Sequence, residues 1–112
     1  MTKRFRRRGP RLYTPSGRTV EFPHPIEQLL GCGGVAVVRL DPSGDNRNIY
    51  GVSRAGRILW QLRKSPFTTK DVCDPYIELH RLPDCVRVFS FRGQIYDVEQ
   101  RTGRILGSGW AK

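Results

Sequence analysis

Long apolar runs are missing from this chain: nothing in it approaches the ~20 consecutive apolar residues of a membrane-spanning helix. Acids are scarce, with 10 Asp and Glu against 20 Lys and Arg, a formal net charge of +10. Cysteine is limited to Cys32, Cys73 and Cys85, an odd number without regular spacing, which argues against a disulfide framework. A reduced, cytoplasmic setting is expected, with the cysteines as small buried hydrophobes. No apolar stretch follows the basic residues Met1–Pro10, so they do not read as a secretory signal. Only two histidines, His24 and His80, are available for acid–base work, and no motif encloses either.

What is present fits one small domain. The 112 residues are 38% hydrophobic and 27% charged, a globular composition. Twelve Gly and eight Pro imply frequent turns and favour short strands over long helices. The positive charge is uneven. Lys3, Arg4, Arg6, Arg7, Arg8 and Arg11 fall in the first eleven residues with no acid among them; fourteen cations and ten acids remain beyond, a net of +4. Residues 1–10 therefore read as a flexible basic arm, and 11–112 as a single β-domain.

Strand and turn signals alternate along that domain. Arg11–Phe22 reads as a hairpin turned at Pro15-Ser16-Gly17, with Val20 and Phe22 sharing a face. Pro25–Leu30, opened by proline and stopped by Gly31, fits a single helical turn. Val35–Leu40 is dense in β-branched residues and reads as a strand. Asn48–Ser53 pairs with Arg57–Leu62, while Lys64–Asp74 is a polar loop and Tyr76–His80 an alternating strand. Val86–Ser90, Gln94–Val98 and a final strand after Gly103 complete eight or nine short antiparallel strands. The fold class is all-β, with at most one helical turn: a barrel, a sandwich or propeller-blade-like sheets.

Two segments repeat, near 48–62 and 94–107. Ile49-Tyr50-Gly51-Val52 returns as Ile95-Tyr96-Asp97-Val98, and Gly56-Arg57-Ile58-Leu59 as Gly103-Arg104-Ile105-Leu106, with one extra residue in the second turn. Gly17-Arg18-Thr19-Val20 echoes them more weakly. Gly17, Gly56, Gly93 and Gly103 are the expected corner residues, because glycine takes a positive φ without a steric penalty.

On these residues the units resemble the PQQ-like (quinoprotein-type) β-propeller repeat, whose signature runs apolar-Asp-x-x-Thr-Gly, three residues, then Trp. The first unit has Gly56 and Trp60 but neither Asp nor Thr; the second has Thr102-Gly103, with Glu99 in place of Asp and Gly107 in place of Trp. The chain also resembles small bacterial proteins carrying such a unit once or twice. The resemblance implies blade-like sheets. Closed propellers need at least ~4 blades, so a chain with two units must fold as a barrel or sandwich, or complete its sheet by assembly. The cofactor chemistry of quinoproteins does not carry over, since no matching ligand set is visible, and no cofactor is expected.

Other candidate chemistry has a plainer explanation. Cys73, His80 and Cys85, with Cys32 or His24, lack the Cys-x-x-Cys spacing of common zinc sites. Asp41–Asn46 is oxygen-rich but has no closing bidentate Glu and reads as a turn. A nucleophilic pair of Cys85 with His80 or His24 has no orienting motif. Gly31-Cys32-Gly33-Gly34 precedes a strand, whereas a phosphate loop follows a strand and opens a helix. Trp60, Trp110, Phe89, Tyr96 and Tyr50 alternate within strands as core residues do.

The expected function is that of a noncatalytic module. One version binds a protein or a second copy through a sheet edge or aromatic face. The other binds nucleic acid through Lys3, Arg4, Phe5, Arg6, Arg7 and Arg8 together with Arg57 and Arg104 at hairpin tips, where Arg54, Arg92 and Arg101 also stand.

Overall fold

A computed structural model describes residues 4–43, 46–66 and 68–110. Eleven strands occur among them: β1 (Arg6–Arg8), β2 (Arg11–Tyr13), β3 (Thr19–Glu21), β4 (Ile26–Cys32), β5 (Val35–Leu40), β6 (Ile49–Ser53), β7 (Ile58–Gln61), β8 (Tyr76–Arg81), β9 (Val86–Ser90), β10 (Gln94–Val98) and β11 (Ile105–Trp110). All pairings are antiparallel between consecutive strands, giving three meanders, β1–β3, β4–β7 and β8–β11. The chain is all-β, as expected, but its sheets pack as layers and none closes into a barrel.

The middle sheet is buried on both faces. Val35 and Val37 of β5 join Ile49, Trp60 and Leu62 in a core shared with Tyr76, Leu79, Val86, Val88, Tyr96 and Val98 of the third sheet. Ala36, Val38 and Leu40 of the same strand point the other way, onto Leu12, Val20 and Phe22 of the first sheet. A strand covered on both faces needs apolar residues at every position, which accounts for the run Val35-Ala36-Val37-Val38.

Two expectations are corrected. Residues 26–32 form strand β4, not a helical turn. Gly33 and Gly34, both at positive φ (56° and 82°), close a two-residue hairpin that returns the chain into β5. Pairing with an apolar neighbour outweighs the weak local preference of a proline-initiated turn. The flexible arm is also displaced: Met1–Lys3 lie outside the described residues, and from Arg4 onward the segment is built into the fold. Arg6–Arg8 pair with Arg11–Tyr13, the Arg7 guanidinium donates to the Ile26 carbonyl, and Phe5 packs on the core beneath the first sheet. Arginine-rich sequence offers no apolar alternation, so this edge strand is specified by the ladder and by Phe5.

The two four-stranded sheets repeat one another more fully than the sequence indicates. Their first strands each carry a bulge at the start, between Ile26/Gln28 and Tyr76/Glu78, and their fourth strands carry one, at Leu59 opposite Gly51/Val52 and at Leu106 opposite Asp97/Val98. Each bulge turns one side chain outward and increases the local twist.

Polar side chains tie these sheets together. Asn48, fully buried, donates through Nδ2 to the Leu40 and Tyr76 carbonyls at 2.9 and 2.7 Å, and its Oδ1 accepts the Tyr76 N–H at 3.0 Å. Gln28 does the same for Leu79, accepting its N–H at 2.8 Å and donating to its carbonyl at 3.1 Å. Each amide thus acts as one extra rung between sheets. On the third sheet Arg87 grips Asp97 with two hydrogen bonds, 2.8 and 3.1 Å.

These bonds from Arg87 hold the Asp97 carboxyl below the usual carboxylate range. An unfolded chain lacks them, so their stabilisation is present at neutral pH and is lost as pH falls through the folded value. Urea midpoints measured from pH 6 to 3 are expected to fall less steeply in Arg87→Gln than in the parent; an identical slope would remove this pair as a source of acid sensitivity.

Candidate nucleic-acid interface

In a meander, successive turns alternate between two ends of the sheet. The β4–β5 and β6–β7 turns therefore share one end of the second sheet, and the β8–β9 and β10–β11 turns one end of the third. Three close approaches bring these ends together with the β2–β3 turn of the first sheet. A Cβ on Gly56 would lie 3.0 Å from Arg18 Cβ, one on Gly33 would lie 3.4 Å from Gln100 Nε2, and one on Gly103 would lie 2.7 Å from the Trp60 ring. The Trp60 indole also donates its N–H to the Gln100 carbonyl at 2.7 Å.

The expected corner glycines Gly17, Gly56, Gly93 and Gly103 all stand at positive φ, between 74° and 94°. The constraint is strongest at Gly103, where both the φ and the indole overhead exclude a side chain.

One end of the molecule thereby collects Arg4, Arg18, Arg54, Arg57, Arg81, Arg101 and Arg104, all exposed. None of the seven side chains forms an ion pair among the described residues. Two acids stand among them, Asp84 and Glu99. Glu99 is occupied by its own turn, accepting from the Arg101 N–H (3.1 Å), the Thr102 N–H (2.9 Å) and the Thr102 hydroxyl (2.9 Å). Partial burial opposes its ionisation, but these donors outweigh it and hold its carboxyl below the usual range.

The opposite end mixes its charges: Arg8, Arg11, Arg47, Arg63, Lys64, Lys70 and Arg92 stand with Glu21, Asp41, Asp71 and Asp74. Asp74 is fully buried and accepts the Arg92 N–H at 2.7 Å. The two ends thus differ among the described residues mainly in their acids, two beside the arginines of the first end and four at the second.

The sequence-derived residues divide accordingly. Lys3 lies outside the described residues. Arg4, Arg57 and Arg104 join the basic end, as do Arg54 and Arg101, whereas Arg92 belongs to the other end. Arg6 and Arg8 are exposed on β1, and strand alternation sets them on one face about 6.7 Å apart. Arg7 alternates with them and is occupied by Ile26.

Sequence reasoning missed Arg18 and Arg81 as members of this surface. Arg18 carried a signal, since Gly17-Arg18 is the weak third copy of Gly56-Arg57 and Gly103-Arg104. Arg81 carried none, because its placement follows from the order of strands.

The residues considered for metal or nucleophilic chemistry do not gather in one place: Cys32 and Cys85 stand toward the basic end, the others apart from them. His80 packs tilted against Phe89 with ring centroids 5.0 Å apart and lies 3.5 Å from Glu78. Cys85 is half-buried, and burial pushes its thiol up, away from the reactive thiolate. Among the described residues no three His, Cys, Asp or Glu side chains gather closely enough to hold a metal ion. Gly44 and Asp45 of the oxygen-rich loop lie outside the described residues. No described helix is long and apolar enough to cross a membrane. Of the core aromatics, Tyr96 and Trp60 are buried, Tyr50 packs on Phe22 at 5.0 Å, and Trp110 is exposed.

No curated protein matches the chain in sequence. A family profile does match, from the first residue of β1 to the last of β11: over residues 6–110 the chain belongs to the family described as a domain of unknown function, DUF7957.

Proposed function

We propose that this domain is a noncatalytic binding module for single-stranded nucleic acid, engaged at its basic end. The observation that carries this reading is the gathering of seven exposed arginines, free of ion pairs among the described residues: five on turns of the three sheets, Arg81 at the end of β8 and Arg4 just before β1. Cations concentrated on one surface neutralise phosphates and release counterions. Small turns project them at several heights, which suits a flexible strand, and half-buried Phe5 among them offers a face for a base.

Fluorescence anisotropy with a labelled single-stranded oligonucleotide tests this across a salt series. Replacing Arg18, Arg57, Arg101 and Arg104 together by Gln is expected to weaken binding at least about tenfold and to reduce the salt slope by about 3. Replacing Arg63, Lys64 and Lys70 at the far end is expected to change affinity by less than about twofold. Equal losses from the two sets would reject a localised interface.

A second reading keeps a protein partner. Strand β11 is the edge of the third sheet, with Leu106 and Trp110 more than half exposed, at 55% and 59%. An exposed apolar edge recruits a further strand. Light scattering during size-exclusion chromatography would show concentration-dependent dimers that Leu106→Lys abolishes; a monomer at all concentrations removes self-association. On the same terms we read the two four-stranded meanders as blade-like units of the PQQ type, a reading supported by their matched bulges and by Trp60 seated on Gly103 of the following sheet.

A further inference from the structure

Between the first and second sheets, at the basic end, lies a cleft of about 510 Å³. That volume lies within the range of small-ligand sites. Arg4, Arg54 and Arg81 line it from three different parts of the chain, Phe5 and Leu29 give it an apolar wall, and no acid lines it. None of the three guanidiniums has an ion-pair partner among the described residues. Gly31 of β4 lines it, and a Cβ built there would enter open space, with nothing within 4 Å.

We propose that this cleft binds a nucleotide bearing a terminal phosphate monoester, with the phosphate on the arginines and the base against Phe5 and Leu29. This rests on the nucleic-acid reading above and adds a chemical preference to it. A bridging phosphodiester carries one negative charge, whereas a terminal monoester carries about −1.5 to −2 at neutral pH. Three uncompensated guanidiniums over a low-dielectric wall discriminate by charge, and their forked donors match phosphate oxygens in pairs. An aromatic ring beside the cations supplies the stacking surface that inorganic phosphate would not use. The same chemistry is offered by a free mononucleotide and by the phosphorylated end of a strand.

The test compares one oligonucleotide sequence with a 5′-phosphate and with a 5′-hydroxyl, using the full chain. The phosphorylated form is expected to bind about tenfold tighter. Gly31→Val should remove that preference by filling the cleft, and valine suits a strand, so the variant is expected to unfold at or above the parent temperature. Arg54→Gln with Arg81→Gln, both exposed positions, should erase the preference by charge instead of by bulk. Adenosine monophosphate that competes away the preference shows that the free nucleotide also fits; a preference that resists it confines the ligand to a strand end. Equal binding of both oligonucleotides overturns the cleft assignment and leaves the basic end intact as an interface. Binding of neither overturns both.

Discussion

Replacing Trp60 with alanine is expected to cost about 3–5 kcal/mol of folding stability. A domain of this size has about 5–15 kcal/mol in all, so the variant should be largely unfolded at moderate temperature. The indole is 9% exposed and lies across Gly51 of its own sheet, where a Cβ would fall 2.2 Å from the ring. It meets Gly103 of the next sheet and bonds the Gln100 carbonyl. Truncation removes contacts on both sides, and backbone glycines cannot move in to fill the space. Trp60→Phe keeps a ring but loses the N–H, with an expected cost nearer 1–2 kcal/mol. Gly103→Ala should be damaging from the opposite side, since its Cβ would stand 2.7–2.9 Å from the indole at a φ of +74°. Urea unfolding followed by far-ultraviolet circular dichroism measures all three. A Trp60→Ala midpoint within experimental error of the parent would show that the sheets hold together without this contact.

Asn48→Ala is expected to have the next largest effect, about 3 kcal/mol or more. The estimate follows from leaving the Tyr76 N–H and two carbonyls buried without partners, at about 1–3 kcal/mol for each such group. Asn48→Asp should be no better, because a carboxylate keeps the acceptor but loses both donors and buries a charge. Exchange of the Tyr76 amide with deuterated water provides a local readout. In the parent this N–H is protected by Asn48 Oδ1 at 3.0 Å and by the surrounding core. The variant should exchange it faster than the amides of β9 and β10, which pair only within their own sheet. Unchanged protection of Tyr76 would mean that the two sheets are coupled by apolar packing alone.

Both residues show why the sequence could be read only in part. The paired strands at 49–53 with 58–61, and at 86–90 with 94–98, were legible because a corner glycine and alternating side chains act over a few residues. Strand β1 was not, since three consecutive arginines carry no alternation and are aligned by β2 and anchored by neighbouring Phe5. Strand β4 reads locally as a proline-initiated turn, and its partner β5 settles it. Asn48 looks like one more polar residue after a turn, and Gln28 like a helix residue; their roles depend on backbone groups 28 and 51 positions away. The repeat was visible where glycine and arginine mark the corners; its closing Leu59 and Leu106 are bulged, but a leucine in a strand does not announce a bulge.

The candidate interface divides in the same way. Arg57 and Arg104 were identified from the repeated Gly-Arg corners, and Arg4 from the charge-rich start. Arg92 stands on a similar corner but at the far end, and Arg81 lies at no corner repeat, yet it lines the cleft.

The residues alone determined the all-β character, the positions of the glycine corners and the excess of positive charge, because each follows from backbone sterics or from counting. Only the tertiary structure decided which corners meet, which arginines share a surface and where a cleft opens between layers. Those outcomes depend on how three sheets stack and on which turns alternate to the same end, and contacts between distant segments fix both.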